Sequence, residues 1–212
     1  MKIVILLILA ALADTSIAKG QNDPQAIRIL DSFSSTATKA PSVSMVFRMI
    51  SADLTENRSD TLEGSIILSK DKYRLNLGDN TVWYNGETIW NYLSAEKEVT
   101  ITKPDKKDNS FQNKPSGIFT MYRKGYKTRL IDEKMDSWVI DLYPEDIKSE
   151  LIRVRLTIGK ALTDLRSLEY KRDDGVVLTI FVSEYDLKYK PDQDTFIFNP
   201  EKYKGVEVID MR

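Results

Sequence analysis

"TVWYNGETIWNYL", Thr81 to Leu93, is the stretch whose reading decides the fold. Two short runs of β-branched and aromatic residues flank Asn85-Gly86, a pair well suited to the positive φ angles of a two-residue hairpin turn. Closing the hairpin there pairs Tyr84 with Glu87, Trp83 with Thr88, Val82 with Ile89 and Thr81 with Trp90. Side chains alternate along a strand, so Trp83, Trp90 and Tyr92 share one face, and Val82, Tyr84, Ile89 and Leu93 the other. Both faces are apolar, whereas an antiparallel sheet needs only one buried face. What, if anything, covers the second is the question the hairpin raises.

Working outward, the same period of two recurs. Val43, Met45, Phe47 and Met49 alternate with Ser42, Ser44, Val46 and Arg48, and "LEGSIILSK" (62–70), "YRLNL" (73–77) and "EVTIT" (98–102) follow between turn residues. After the hairpin come "YKTRLIDEK" and "SWVIDLYP". "ELIRVRLTIG" then sets Ile152, Val154, Leu156 and Ile158 against Leu151, Arg153, Arg155 and Thr157. "LRSLEYKRDDGVVLTIFVSEYDL" is a hairpin turning at Asp174-Gly175, and "DTFIFNPEKYKGVEVIDMR" adds one strand and a terminal extension. Short strands bounded by turns predict an antiparallel meander rather than βαβ units.

Two helices interrupt this pattern. Asp23-Pro24 supplies a capping carboxylate and a first-turn proline. From there Ala26, Ile29, Leu30, Phe33 and Ala37 recur at helical spacing up to Lys39, before Pro41. "PSGIFTMYRKG" (115–125) predicts a short helix whose apolar residues cover more than one face. The polar segment 103–114 between the strand groups reads as a loop. The predicted fold is therefore mainly β (α+β): an open, incomplete antiparallel barrel of about eleven strands with the helices on its concave side. Scattered aromatics on the convex face would need no cover.

Composition narrows the chemistry. Met1-Lys2, the apolar run Ile3 to Ala13 and Ser16-Ile17-Ala18 predict a cleaved export signal over 1–18, leaving a single domain over 19–212. The run is too short to span a bilayer. There is neither cysteine nor histidine, which removes disulfides, thiol nucleophiles and the commonest general base and metal ligand. A net charge of −1 offers no footprint for nucleic acid. Ser94-Ala95-Glu96-Lys97 matches S-x-x-K but sits between two strands with no K-T-G partner, so it reads as a polar turn. Asp132, Glu133, Asp136, Asp141, Glu145 and Asp146 number enough for a glycosidase pair. They lie at strand ends and turns, where solvated acids are the default. Asp173-Asp174-Gly175 lacks the further oxygens of a calcium loop. No catalytic residue, metal or cofactor is expected. What remains is an apolar surplus: Leu30, Phe33, Met45, Phe47, Met49, Trp83, Trp90, Ile118, Phe119 and Met121. It reads equally as an ordinary core or as the lining of an adaptable cavity.

"DPQAIRILDSFS", "SVSMVFRM", "LEGSIILSKDKYRL" and "YNGETIWNYLSAEKEVTI", extended by "PSGIFTMYRKGYKTRLI", "WVIDLYPED" and "FIFNPEKYKGVEVIDMR", resemble the periplasmic lipoprotein carriers of the LolA family over nearly all of the mature chain. The resemblance implies a half-barrel whose helices form a lid over an apolar cavity. It also implies a periplasmic carrier, a non-enzyme, that takes acylated lipoproteins from an inner-membrane ABC transporter and delivers them to an outer-membrane acceptor as a monomer. Leu30, Phe33, Met45, Phe47, Trp90, Ile118, Phe119 and Met121 would line the acyl cavity. Trp90 would face lid and ligand, with Tyr84 and Leu93 on the other side. The family's lid latch, an arginine hydrogen-bonded to helix backbone, falls on Lys70, with Arg74 as the second candidate. The alternative is a periplasmic domain that senses lipids or lipoproteins without transporting them.

Overall fold

The computed structural model describes residues 22–105 and 114–212. The expected signal 1–18 and positions 106–113 of the expected loop lie outside them. The first half of the sheet runs through β1 (Val43–Asp53), β2 (Arg58–Ser69), β3 (Lys72–Leu77), β4 (Asn80–Tyr84), β5 (Ile89–Leu93) and β6 (Glu98–Thr102). The second half holds β7 (Tyr126–Glu133), β8 (Ser137–Pro144), β9 (Leu151–Gly159), β10 (Leu165–Arg172) and β11 (Val176–Asp186), with β12 (Glu207–Asp210) at the end of the chain. They form one open sheet of twelve strands in the order β12-β6-β5-β4-β3-β2-β1-β11-β10-β9-β8-β7. Its two outermost strands do not meet, so the barrel is unclosed, as expected.

The seam between the two halves is β1. A register shift between Val46 and Phe47 in its pairing with β11 bends the strand, as bulges do. On the other side Phe47 pairs with Gly64 of β2. A Cβ built on Gly64 would come within 2.6 Å of the Phe47 ring. The glycine of "LEGSI" therefore leaves room for an aromatic ring lying across the strand.

α1 (Pro24–Lys39) packs on the concave side with Ala26, Ile29, Leu30, Phe33 and Ala37 buried. Asp23 caps it by accepting from the N–H groups of Gln25 and Ala26 at 2.8 and 3.3 Å, and its other oxygen accepts from Leu130 N of β7 at 3.2 Å. One carboxylate thus fixes the helix start and anchors it to the sheet. The predicted short helix forms two 3-10 helices, Pro115–Phe119 and Met121–Arg123.

The opening hairpin forms with a different register. Tyr84 pairs with Ile89, Trp83 with Trp90, Val82 with Asn91 and Thr81 with Tyr92. The loop holds four residues because the Asn85 carboxamide accepts from Glu87 N and Thr88 N, both at 2.9 Å. Gly86 takes a positive φ of 101° but Asn85 does not, so the two-residue turn, which needs both, is not made. The slip is by two residues, an even number, and so preserves which side chains share a face.

What changes is which face looks inward. Tyr84 and Val82 pack toward the main core with Tyr73, Leu75 and Leu77, whereas Trp83, Trp90 and Tyr92 belong to a second cluster with Val99 and Phe198. The convex face here is therefore covered, not left with scattered aromatics. After β11 the chain crosses the outside of the sheet, and "DTFIF" forms successive turns where a strand was expected. Phe198 meets Trp83 at 5.5 Å between ring centroids, and Tyr203 meets Trp83 at 5.7 Å and Tyr92 at 4.8 Å. Only then does β12 pair, parallel to β6, along the sheet's edge. This strap answers the question of the second apolar face. Phe198→Ala is expected to cost about 3 kcal/mol of stability, the lower end for truncating a buried phenylalanine. Denaturant unfolding measures this, together with a red shift of tryptophan emission as Trp83 gains water.

Candidate functional site

The concave side divides into a filled half and an open half. In the filled half Leu30, Phe33, Met45, Phe47, Ile118 and Phe119 are all buried in one core, with Met121 packed against it. Phe33 and Phe119 meet at a tilt of 58° with ring centroids 5.5 Å apart, so helix and 3-10 segment cohere as one unit. Of the residues named from sequence for the acyl cavity, these seven lie together on the lid side, and of the seven Phe119 lines an opening. Trp90 does not join them. It faces the strap on the convex side, because the cover for that face comes from a segment more than one hundred residues away.

Three contiguous openings follow the concave surface from α1 toward β6. The first, about 330 Å³, lies between the last turn of α1 (Ala37, Thr38, Ala40), Leu68, Lys70 and the first 3-10 helix. The second, about 740 Å³, shares Leu68 with the first and adds Tyr73, Tyr84, Gly86, Lys103 and Pro115. The third, about 560 Å³, shares Tyr73 and spreads over Leu75, Leu77, Asn80, Val82, Ile89, Asn91, Thr100 and Thr102, with Met211 at its rim. Of all these lining residues, only Phe119 and Lys70 were named as site residues from sequence; Tyr73, Leu75, Leu77, Val82, Tyr84 and Ile89 were not. The signal was present in the face shared by Val82, Tyr84 and Ile89 and in the alternation of "YRLNL". It was assigned to the wrong side of the sheet.

The two latch candidates part company. Lys70 sits at the β2–β3 turn with a φ of 56° and borders the opening next to the end of α1, where a cation suits the free carbonyls. It makes no hydrogen bond to helix backbone among the described residues. Arg74 lies on the opposite face, its guanidinium 5.6 Å from the centre of the Trp83 ring, and cannot reach the lid. The polar tie to α1 comes instead from the second 3-10 helix: Tyr122 donates to Asp31, and Arg123 donates to the Ser34 hydroxyl at 3.1 Å. Asp31 and Ser34 stand three apart and so share a helix face. That spacing, with the Tyr-Arg pair facing it, was the available signal.

The carboxylates hold one surprise. Asp141, expected among solvated strand-end acids, is fully buried on the outer face of β8. Arg155 grips it bidentately at 2.6 and 2.8 Å, and Tyr143 donates to it at 2.9 Å. This bond to Asp141 is the main reason the Arg155 guanidinium is held above its usual value. A carboxylate so satisfied, on the face away from every opening above, is structural. Among the described residues no group of three acids gathers in a way that could hold a metal.

Burial also shapes the tyrosines of the cavity. Tyr73 is pushed up to about 12, chiefly by loss of water around its phenolate and further by Tyr84 beside it. Burial raises Tyr84 too and, away from the openings, Tyr170 and Tyr185 packed against the main core. The unfolded counterpart of Tyr73 ionises near 10, so the stability from keeping its phenol neutral is complete below pH 10 and is lost as pH climbs through about 12.

A family model described as outer membrane lipoprotein carrier protein LolA matches residues 18–165. No curated protein matches the chain in sequence. Among solved structures, an uncharacterized conserved protein from Thermus thermophilus is similar with a TM-score of 0.58 at 14% identity, over 88% of this chain and 99% of that one. A LolA superfamily protein from Nitrosomonas europaea aligns with a TM-score of 0.41 at 12% identity, over 82% and 97%. The Pseudomonas aeruginosa MucA/MucB complex gives 0.43 at 12%, over 84% and 62%. At 14% identity the first of these likenesses speaks to fold alone.

Two outcomes are expected. Tyr122→Phe should cost about 2 kcal/mol, one part-buried hydrogen bond to a carboxylate, and speed amide exchange in α1 while the sheet amides stay protected. In alkaline titration the melting temperature should fall between pH 10 and 12, and Tyr73→Phe should make that fall shallower.

Proposed function

The chain belongs to the LolA outer membrane lipoprotein carrier family, and we propose that it is a periplasmic carrier that shields the acyl chains of lipoproteins on their way from the inner to the outer membrane. The observation that carries this reading is the open half of the concave surface. Leu68, Leu75, Leu77, Val82 and Ile89 form an apolar floor within openings of about 740 and 560 Å³. That is the size range of sites that enclose a small ligand. A soluble domain that leaves aliphatic side chains facing a concave gap has left room for something apolar.

In this reading α1 and the two 3-10 helices act as a unit beside the open floor. The first opening, between α1, Lys70 and the 3-10 segment, is where a chain could wedge deeper if that unit shifts. No bond is made or broken, so the protein has no need of a catalytic group or cofactor. The donor would be an inner-membrane ABC lipoprotein-releasing transporter and the receiver an outer-membrane acceptor, with the carrier acting as a monomer.

The test adds the purified protein to spheroplasts that carry a cognate transporter and synthesise a tagged outer-membrane lipoprotein. The tagged product should enter the soluble fraction in complex with the protein, and a control product lacking its acylated cysteine should not. Val82→Lys, which places a charge on the open floor, should cut release at least tenfold. Ile197→Lys, on the exposed strap, should leave it unchanged. Equal capture of acylated and unacylated product would overturn the carrier reading in favour of a protein-sensing domain.

A further inference from the structure

The open floor is not uniformly apolar. Asn80 and Asn91 lie on adjacent strands, and Asn91 faces Val82, two residues along from Asn80. The two carboxamides are therefore diagonal neighbours on one face, about 7–8 Å apart or a little less between Cβ atoms. Both line the third opening beside Leu75, Leu77, Val82 and Ile89. The Oδ1 atom of each is buried without a hydrogen-bond partner. Neither side chain has any other partner among the described residues, so the accessible polar part of each is its Nδ2 group. Thr100 and Thr102 continue the polar strip across β6, with the Thr100 hydroxyl donating to Glu98 at 3.3 Å.

Buried polar atoms left unpaired are costly, on the order of 1–3 kcal/mol each, and native structures keep few of them. Two on one wall of an otherwise aliphatic opening, both carboxamides, call for a ligand that pairs with them. A carboxamide without protein partners can also turn over about its terminal torsion and exchange its donor and acceptor halves, with no protein hydrogen bond to break. Beside an aliphatic floor, such groups suit the place where a fatty chain joins its head: an ester or amide carbonyl, which accepts from Nδ2, and a neighbouring N–H, which donates to Oδ1.

Building on the carrier reading, we propose that Asn80 and Asn91 form a polar subsite for the ester and amide linkage of an acylated ligand, holding the junction at β4–β5 while the chains run along Leu75, Leu77 and Val82 toward α1. The subsite sets position along the groove, where the aliphatic floor alone allows sliding. A lipoprotein N-terminus and a glycerophospholipid share the ester chemistry, and only the first adds the amide N–H.

The test is a binding titration of the protein against four soluble fluorescent probes. Two are a short lipopeptide with ester-linked palmitoyl chains and its ether-linked analogue, which lacks the carbonyls. The others are a glycerophosphocholine in the same ester and ether forms, kept below micelle-forming concentrations. The wild type should bind the ester lipopeptide about tenfold more tightly than the ether one, the size of one or two neutral hydrogen bonds. Asn80→Leu/Asn91→Leu should abolish that difference while keeping the ether affinity. A wild type that binds ester and ether forms equally overturns the subsite yet leaves the carrier reading standing, and this comparison needs no variant to fold. A wild type that binds none of the four probes overturns both. A preference for ester phosphocholine over ester lipopeptide overturns the lipoprotein as the source.

Discussion

Everything in this molecule follows from a mismatch of size between a sheet and its cover. Twelve strands about 4.8 Å apart span roughly 50 Å across the sheet. The single α-helix among the described residues, sixteen residues long, measures about 24 Å by about 10–12 Å. Curling the sheet brings its halves together over the helix, and the bulge at Val46/Phe47 with the ring of Phe47 laid over Gly64 makes that curl sharp at the seam. Even so, one helix and two 3-10 segments bury only the half of the concave face nearest α1. From β3 to β5 the side chains of Leu75, Leu77, Val82 and Ile89 stay only partly buried along the openings.

A sheet region with one face empty would ordinarily be weak. Here the opposite face carries the compensation. The strap places Phe198 and Tyr203 against Trp83 and Tyr92, giving β4, β5 and β6 a dry outer surface built from aromatic edge contacts. β12 then occupies the edge of β6, removing a row of unpaired backbone groups that would otherwise recruit another strand. Outer packing therefore substitutes for inner packing in these strands. The inner face can stay open without the strands losing their order. The buried Asp141–Arg155 pair does comparable work on the outside of β8 and β9, where the concave face is already filled by α1.

Much of this was legible from local pattern. Period-two alternation located the strands, Asp23-Pro24 located the helix start, and face parity in Thr81–Leu93 survived a register error because the slip was even. What failed was whatever depended on distant partners. Nothing within "TVWYNGETIWNYL" says whether Trp83 or Val82 looks inward, since both faces are equally apolar and the strap that decides lies near residue 200. Trp90 and Arg74 were misplaced for that one reason. The hairpin loop was misread because the Asn85 side chain offers a rival hydrogen-bonding scheme to the two-residue turn, and both are written with the same Asn-Gly. "DTFIF" alternates like a strand, but Phe196 and Phe198 are buried from a turn-rich crossing segment. Tyr122 and Arg123 were passed over because a tie between two helical segments needs three-dimensional proximity that no periodicity records.

The open floor also sets a thermodynamic condition on any carrier built this way. A sixteen-carbon chain left in water costs on the order of 10 kcal/mol at about 0.8 kcal/mol per methylene. A membrane on either side of the journey relieves the same cost, so a carrier that buried the chain as completely as a core would gain nothing on delivery and would hinder release. A groove dry on the floor and partly polar along Asn80, Asn91 and Thr100 recovers most of the apolar term without all of it. Each carboxamide contact adds an increment that a bilayer's ester region can match, so positioning is obtained without a deep energetic trap. An unclosed sheet with a half-length lid is therefore better suited to handing a chain onward than a sealed barrel would be, and the missing half of the cover is the feature that makes it so.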